Sequence, residues 1–277
     1  MGEMLTGPEA LMHFGESITS VSALMALCTM RIYVAFMVLP AVSDEAVQGP
    51  LRNGICMVLG FFVAWGQPAH ALQGFETGML LALLLKEGLI GLMLGIAFSV
   101  VFWIAEGVGA MIDNTAGYNN VQQTNPLNGQ QSTPVSNLLG QLMIACFYML
   151  GGMVVCVGLL FQSFLWWPLA DLAPSLASGL EDFLKFQTDS YFSAVVKLAA
   201  PIMLVLVLID LCFGLLSRTA DKLEPQSLSQ PIKGAVALLM LSLLVSVFFD
   251  QARSAISLHD LEAQLRHWAA GSGAGKR

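Results

Sequence analysis

The run from Gly78 to Ala105, GMLLALLLKEGLIGLMLGIAFSVVFWIA, decides the fold. Only Lys86 and Glu87 are charged in it. At about 1.5 Å of rise per residue, a helix of this length outspans a bilayer core of about 30 Å. Hydrocarbon offers no partner for backbone N–H and C=O groups, so a segment of this kind is helical. Five further apolar stretches flank it, at 20–42, 54–72, 138–161, 191–217 and 232–249. With 78–105 they predict an all-α integral membrane protein of about six apolar helices, five of them long enough to span and the last marginal. The alternation of about ten residues that marks outer-membrane barrels is absent from the sequence.

Composition agrees. Of 277 residues, 56% are hydrophobic and 11% charged, and mean hydropathy is +0.71; soluble domains carry about 25% charged residues. Too little polar surface is available to cover a soluble globule of this size, so apolar surface must meet lipid or other subunits. A net charge of −7 without any basic run excludes nucleic acid as the main partner. Cys28, Cys56, Cys146, Cys156 and Cys212 lie in apolar runs, form no Cys-x-x-Cys pair and read as small packing residues. No cofactor or metal site is implied, and no nucleophile elbow, zinc-protease or phosphate-loop motif is present, so the chain is not expected to be an enzyme. The first nineteen residues hold Glu3, Glu9 and Glu16 but no Lys or Arg, the reverse of a signal-peptide n-region.

Cationic residues fail to give an orientation. Six simple spans would place Lys185, Arg253, Arg266, Lys276 and Arg277 on one side and Arg52, Arg218, Lys222 and Lys233 on the other. This near balance points to hairpins held in a protein assembly. A charge at a helix centre costs about 2.5–3.5 kcal/mol on the insertion scale. Arg31, Lys86, Glu87, Lys197 and Asp210 must therefore face protein or water. They serve either an ion or substrate pathway or hydrogen bonding that fixes assembly, and the lack of an acid–histidine relay along one face favours assembly. Gly91 and Gly95 form a small-xxx-small pair that lets two helices approach closely.

The linker 106–136 is amide-rich, with Asp113, Gly117, Asn119, Asn120, Gln122, Gln123, Asn125, Pro126, Gln130, Gln131 and Pro134, and it contains no Lys or Arg. It suits either a loop inserted into a wet cavity or a plain solvent loop. Residues 162–190 read as a loop that opens with Trp166-Trp167-Pro168. A second loop, 218–231, holds Arg218, Pro225 and Pro231, with Lys233 just beyond.

These features in order resemble the T subunit of type III secretion export gates and its flagellar R-type counterpart. The likeness runs from Arg31…Pro40, through Lys86-Glu87-x-x-x-Gly91-x-x-x-Gly95 and the linker's Asp113, Gly117, Asn125-Pro126 and Pro134, to Gly151-Gly152…Ser163…Trp167-Pro168. It continues with Ala200-Pro201, Gly214-Leu215, Arg218 and Pro231-Ile232-Lys233. Two departures stand out: Asn125 where the family often has Asp, and Thr219–Gln226 in place of an Ala-Pro-Gln-Leu-Asn run.

The resemblance implies a non-enzymatic subunit of tilted helical hairpins in an export gate of the bacterial inner membrane, embedded in the secretion base with parts at periplasmic level. Residues 1–190 would be R-like and 191–250 S-like, with an amphipathic and flexible tail at 251–277. The linker would plug the closed pore, through Asp113, Gly117, Asn125, Pro126 and Pro134. Arg31, Pro40, Lys86, Glu87, Gly91, Gly95, Pro201 and Asp210 would serve assembly, and Arg218, Pro225, Pro231 and Lys233 a cytoplasm-facing turn. The implied partners are R- and S-type subunits, a U-type switch protein, ring and inner-rod components, membrane lipids and unfolded proteins in transit. Gly151-Gly152 and Trp166-Trp167-Pro168 lean toward the injectisome branch. A small-molecule transporter would need inverted repeats, and no convincing repeat of 78–105 is found in the second half.

Overall fold

A computed structural model describes residues 8–43, 46–67, 77–118, 123–124, 131–169, 176–219 and 226–256. The helices are α1 (Pro8–Val38), α2 (Gly49–Trp65), α3 (Thr77–Ala116), α4 (Pro134–Met149), α5 (Gly152–Trp166), α6 (Leu176–Thr219) and α7 (Gln226–Ile256). A short 3-10 turn at Pro40–Val42 follows α1, where Pro40 cannot continue the helix but suits a new N-terminus. The other regular elements described are β1 (Gln123–Thr124) and β2 (Gln131–Ser132), paired antiparallel with Gln123 opposite Ser132.

The all-α membrane class holds, with corrections to its elements. The fourth apolar stretch is two helices, because the chain breaks at Leu150–Gly151, where Gly151 has φ +74° and leaves the helical region. Among the described residues three segments are long and apolar enough to cross a membrane: Ile18–Val38, Gly78–Ala116 and Leu180–Arg218. The α4–α5 pair, taken as one bent span, would be a fourth. Among the described residues the stretch expected to span but too short to do so is α2, which ends at Trp65, before Gly66, after 17 residues; α7, expected to be marginal, has Leu228–Leu243 as its apolar described part.

Two loops are shorter than the polar residues implied. Residues 106–116 continue α3, because Ala105, Val108, Ile112 and Ala116 form a buried stripe at helical spacing. Residues 176–190 belong to α6, whose Phe183 and Gln187 are buried. Pro231 lies inside α7, near its start, instead of in the preceding turn. Pro225, Asn125 and Pro126 fall outside the described residues, as does the tail beyond Ile256.

The chain forms two compact units. The first holds the described parts of Met1–Phe98 and Cys156–Glu181; the second holds the described parts of Ser99–Val155 and Asp182–His259. The core of the first unit contains Leu27, Ile32, Phe36, Leu39, Leu83 and Leu94. In it α1 packs closely on α3. A Cβ on Gly91 would collide with the Arg31 carbonyl, and one on Gly95 would lie 3.0 Å from the Ala35 carbonyl oxygen. The second unit is built on Phe102, Ile112, Leu139, Phe147, Phe183 and Leu206, with Phe102 and Phe147 edge to face at 5.2 Å.

Candidate functional site

In the first unit, Arg31 of α1 and Lys86-Glu87 of α3 meet the C-terminal end of α5. Arg31 Nε donates to Glu87 Oε2 at 2.6 Å. Its Nη1 donates to Ser163 Oγ at 3.0 Å and its Nη2 to the Trp167 carbonyl at 2.9 Å. The guanidinium also lies over the Phe164 ring, 3.9 Å from its centroid. Lys86 Nζ pairs with Glu87 Oε1 at 2.9 Å and donates to the carbonyls of Pro168 and Leu169 at 2.9 and 3.0 Å. Arg31 and Glu87 are fully buried and Lys86 nearly so.

The charge balance explains the architecture. Two cations face one carboxylate, and the excess positive charge lies against three carbonyls just past the end of α5. Unpaired carbonyls and the partial negative charge of a helix C-terminus favour a cation there. Burial would be prohibitive for either cation alone; within this network every nitrogen of the two cations has an acceptor. Of the residues expected to face protein or water, Arg31, Lys86 and Glu87 thus face protein inside this chain, whereas Lys197 is exposed. Sequence reading placed Arg31, Lys86 and Glu87 among the assembly residues but missed Ser163 and Phe164 as their partners. Their spacing, one turn before Trp167-Pro168, was the available signal.

The second unit holds the root of the loop between α3 and α4. Asp113, fully buried on α3, accepts hydrogen bonds on Oδ2 from the backbone N–H of Val135 at 2.9 Å and of Ser136 at 3.1 Å. These are orphan donors of the first turn of α4, and the N-cap residue Thr133 makes no side-chain cap bond. Asp113 therefore caps a helix that begins 21 residues later, with Pro134 at its first position, where a missing N–H costs nothing. Ser136 Oγ donates to the Glu106 carbonyl at 2.9 Å, and a Cβ on Gly109 would run into the backbone of Val135 and Ser136. At the other root Gly117, with φ +84°, turns the chain out of α3.

Helix α7 reaches the same root. Lys233 Nζ pairs with Asp210 Oδ1 of α6 at 2.8 Å and donates to the Thr115 carbonyl at 3.2 Å. Ser229 Oγ lies 3.4 Å from Asp210 Oδ1, and Gln230 Nε2 lies 3.5 Å from the Gly117 carbonyl. Pro201 sits inside α6, where it removes one helical donor, and Arg218 sits in the last turn of α6. Sequence reading set Asp210 and Lys233 in different groups; the structure brings them together. Thr115, Ser229 and Gln230 carried no sequence signal. No group of three or more metal-ligating side chains occurs among the described residues.

Known proteins resemble this chain over most of its length. Residues 22–258 match the family described as bacterial export proteins, family 1. Yop proteins translocation protein T of Yersinia pestis is 31% identical over 232 residues, covering 82% of this chain and 88% of that protein. Surface presentation of antigens protein SpaR of Salmonella typhimurium is 30% identical over 221 residues, 80% of this chain and 82% of that one. Flagellar biosynthetic protein FliR of Bacillus subtilis is 26% identical over 248 residues, 88% and 94% of the two chains. A match across both polar clusters and nearly all the helices leads to one conclusion: the chain belongs to bacterial export proteins family 1, the non-enzymatic membrane subunits of the type III secretion and flagellar export apparatus.

Proposed function

We propose that this chain is the T-type core subunit of an injectisome export gate in the bacterial inner membrane. There it forms part of the entry pore through which unfolded proteins pass. What supports the branch is the identity of 31% to the Yersinia translocation protein T and 30% to Salmonella SpaR, beside 26% to the Bacillus flagellar protein. The broken α4–α5 pair and the carbonyls of Trp167 and Pro168 put physical roles on the Gly-Gly and Trp-Trp-Pro elements that lean the same way. Residues 1–190 would take the place of an R-type subunit and 191–250 that of an S-type subunit, alongside separate R and S copies, a U-type switch protein, and ring and inner-rod components. Purification from membranes in mild detergent tests this: R-, S- and U-type subunits should accompany the chain. Recovery of a stable, monodisperse protein without them would remove the proposal. Deletion of the gene should abolish secretion into the medium and spare motility. Loss of motility with secretion intact would assign the chain to the flagellar branch.

Within that gate the loop between α3 and α4 serves as the plug of the closed pore. Support comes from a base held by the Asp113 cap on α4 and turned out of α3 at Gly117, and from the β1–β2 pairing within the loop. Uncharged amides suit a seal held by packing and hydrogen bonds and released without breaking strong ion pairs. Shortening the loop within 119–130 should make resting membranes leaky to small ions in complexes that still assemble. A seal as tight as that of the unmodified complex would rule the plug out.

A further inference from the structure

We propose that Lys233, helped by Gln230, positions the exit of the loop from α3, and that α7 can release it. This deepens the plug reading and rests on it. Thr115 lies in the last turn of α3, where carbonyls lack helical N–H partners and the helix end carries partial negative charge. Lys233 brings a buried ammonium to that end while paired with Asp210. Gln230 lies one turn earlier on the same face of α7 and addresses the Gly117 carbonyl. Gly234 adjoins Lys233, and a side chain there would collide with the Tyr118 ring. Three α7 positions thus address residues 115–118, where the loop leaves its helix.

The loop's other root is mounted differently. The two hydrogen bonds between Asp113 and the first turn of α4 involve no group of α7, although α7 packs against α4, and Asp113 is fully buried. Lys233, by contrast, relies on a carboxylate that is 47% exposed. An ion pair of that exposure is weak and open to competition from water or a partner's charge. The α4 root is therefore the fixed mount and the α3 root the releasable one. Displacing α7 against α6 withdraws the donor from Thr115 and frees the exit of the loop, leaving the Asp113 cap in place.

The test uses the assembled export complex and resting ion flux, in a Cys212→Ser background because Cys212 is the exposed cysteine. Lys233→Met should raise resting flux about tenfold, the scale of a lost charge-assisted hydrogen bond, with the normal amount of complex recovered. Lys233→Arg should stay sealed. The swap Asp210→Lys with Lys233→Asp restores an ion pair but leaves no donor for the Thr115 carbonyl, so it should leak. In Lys233→Met carrying Tyr118→Cys and Gly234→Cys, a flexible bis-maleimide should restore the seal. A sealed Lys233→Met complex, or a leak that the crosslink leaves unchanged, overturns the proposal. If Lys233→Met does not assemble, the same cysteine pair with Lys233 intact decides: crosslinking should stop secretion, and secretion at full rate overturns it. The loop-shortened variant separates the two ideas. If it leaks while Lys233→Met is sealed, the positioning role fails and the plug stands; if both are sealed, the plug fails and takes the positioning role with it.

Discussion

Arg31 shows how one buried charge organises its neighbourhood. Its donors diverge to a carboxylate on α3, a hydroxyl on α5 and a carbonyl beyond α5. Arg31→Ala would leave Glu87 with Lys86 alone and take from the Ser163 hydroxyl and the Trp167 carbonyl the donor that Arg31 brings them. Removing one partner of a buried pair costs about 3–5 kcal/mol. The expected outcome is a severe drop in the chain recovered in membranes and in the complex it enters. Arg31→Lys should not rescue it, because one ammonium cannot reach the divergent acceptors in the guanidinium's planar fork. Lys86→Ala should lose less, since Glu87 keeps Arg31. Normal levels of chain and complex for Arg31→Ala would show that the network contributes nothing. The need for partners was legible in the sequence, because a charge in an apolar run must be answered. The partners themselves were not: Ser163 and the carbonyls of residues 167–169 are ordinary groups that act only because the break after α5 brings them near α1 and α3.

At the scale of elements, the break between α4 and α5 turns on Gly151, whose φ of +74° is open to glycine and costs a residue with Cβ about 1–2 kcal/mol. Nothing lies within 4 Å of a Cβ placed there, so Gly151→Ala should lower the thermal midpoint in detergent by that backbone cost alone, and Gly151→Asn by less. Gly152 is the opposite case. Its φ is not in the left-handed region, but a Cβ would strike the Phe147 ring, so Gly152→Ala should cost about 1–3 kcal/mol through overpacking. Midpoints for the two alanine variants equal to that of the unmodified chain would show that neither constraint operates. Apolar runs located six of these elements and missed the break, because Tyr148–Val155 is as apolar as a continuous span and only the glycine pair marks the interruption. Polarity misled in the other direction at 106–116. Glu106, Asp113 and Asn114 look like linker, yet the stripe of Ala105, Val108, Ile112 and Ala116 keeps α3 going, and Asp113 is polar because it caps α4.

Across the whole molecule, the helices divide by how much of their apolar surface the chain covers itself. The most apolar window of α3 is 61% buried, whereas that of α6 is 17% buried. On α6, Leu204, Leu208, Leu211 and Leu215 recur at helical spacing and are all more than half exposed. That stripe must be covered by lipid or by neighbouring subunits. On the export-gate reading proposed above neighbouring subunits cover it, and a photo-crosslinking residue at Leu208 or Leu211 should capture an S-type subunit in the assembled complex. The same probe at Leu83, which is fully buried, should capture nothing. Probes at 226–230, where α7 opens, should reach the U-type switch protein if the start of α7 faces the cytoplasmic entrance. Those residues adjoin Lys233, so a partner docked there is placed to move α7 against α6. Capture of periplasmic ring proteins at 226–230 would reverse the orientation, and lipid adducts alone at Leu208 and Leu211 would assign the α6 stripe to the bilayer.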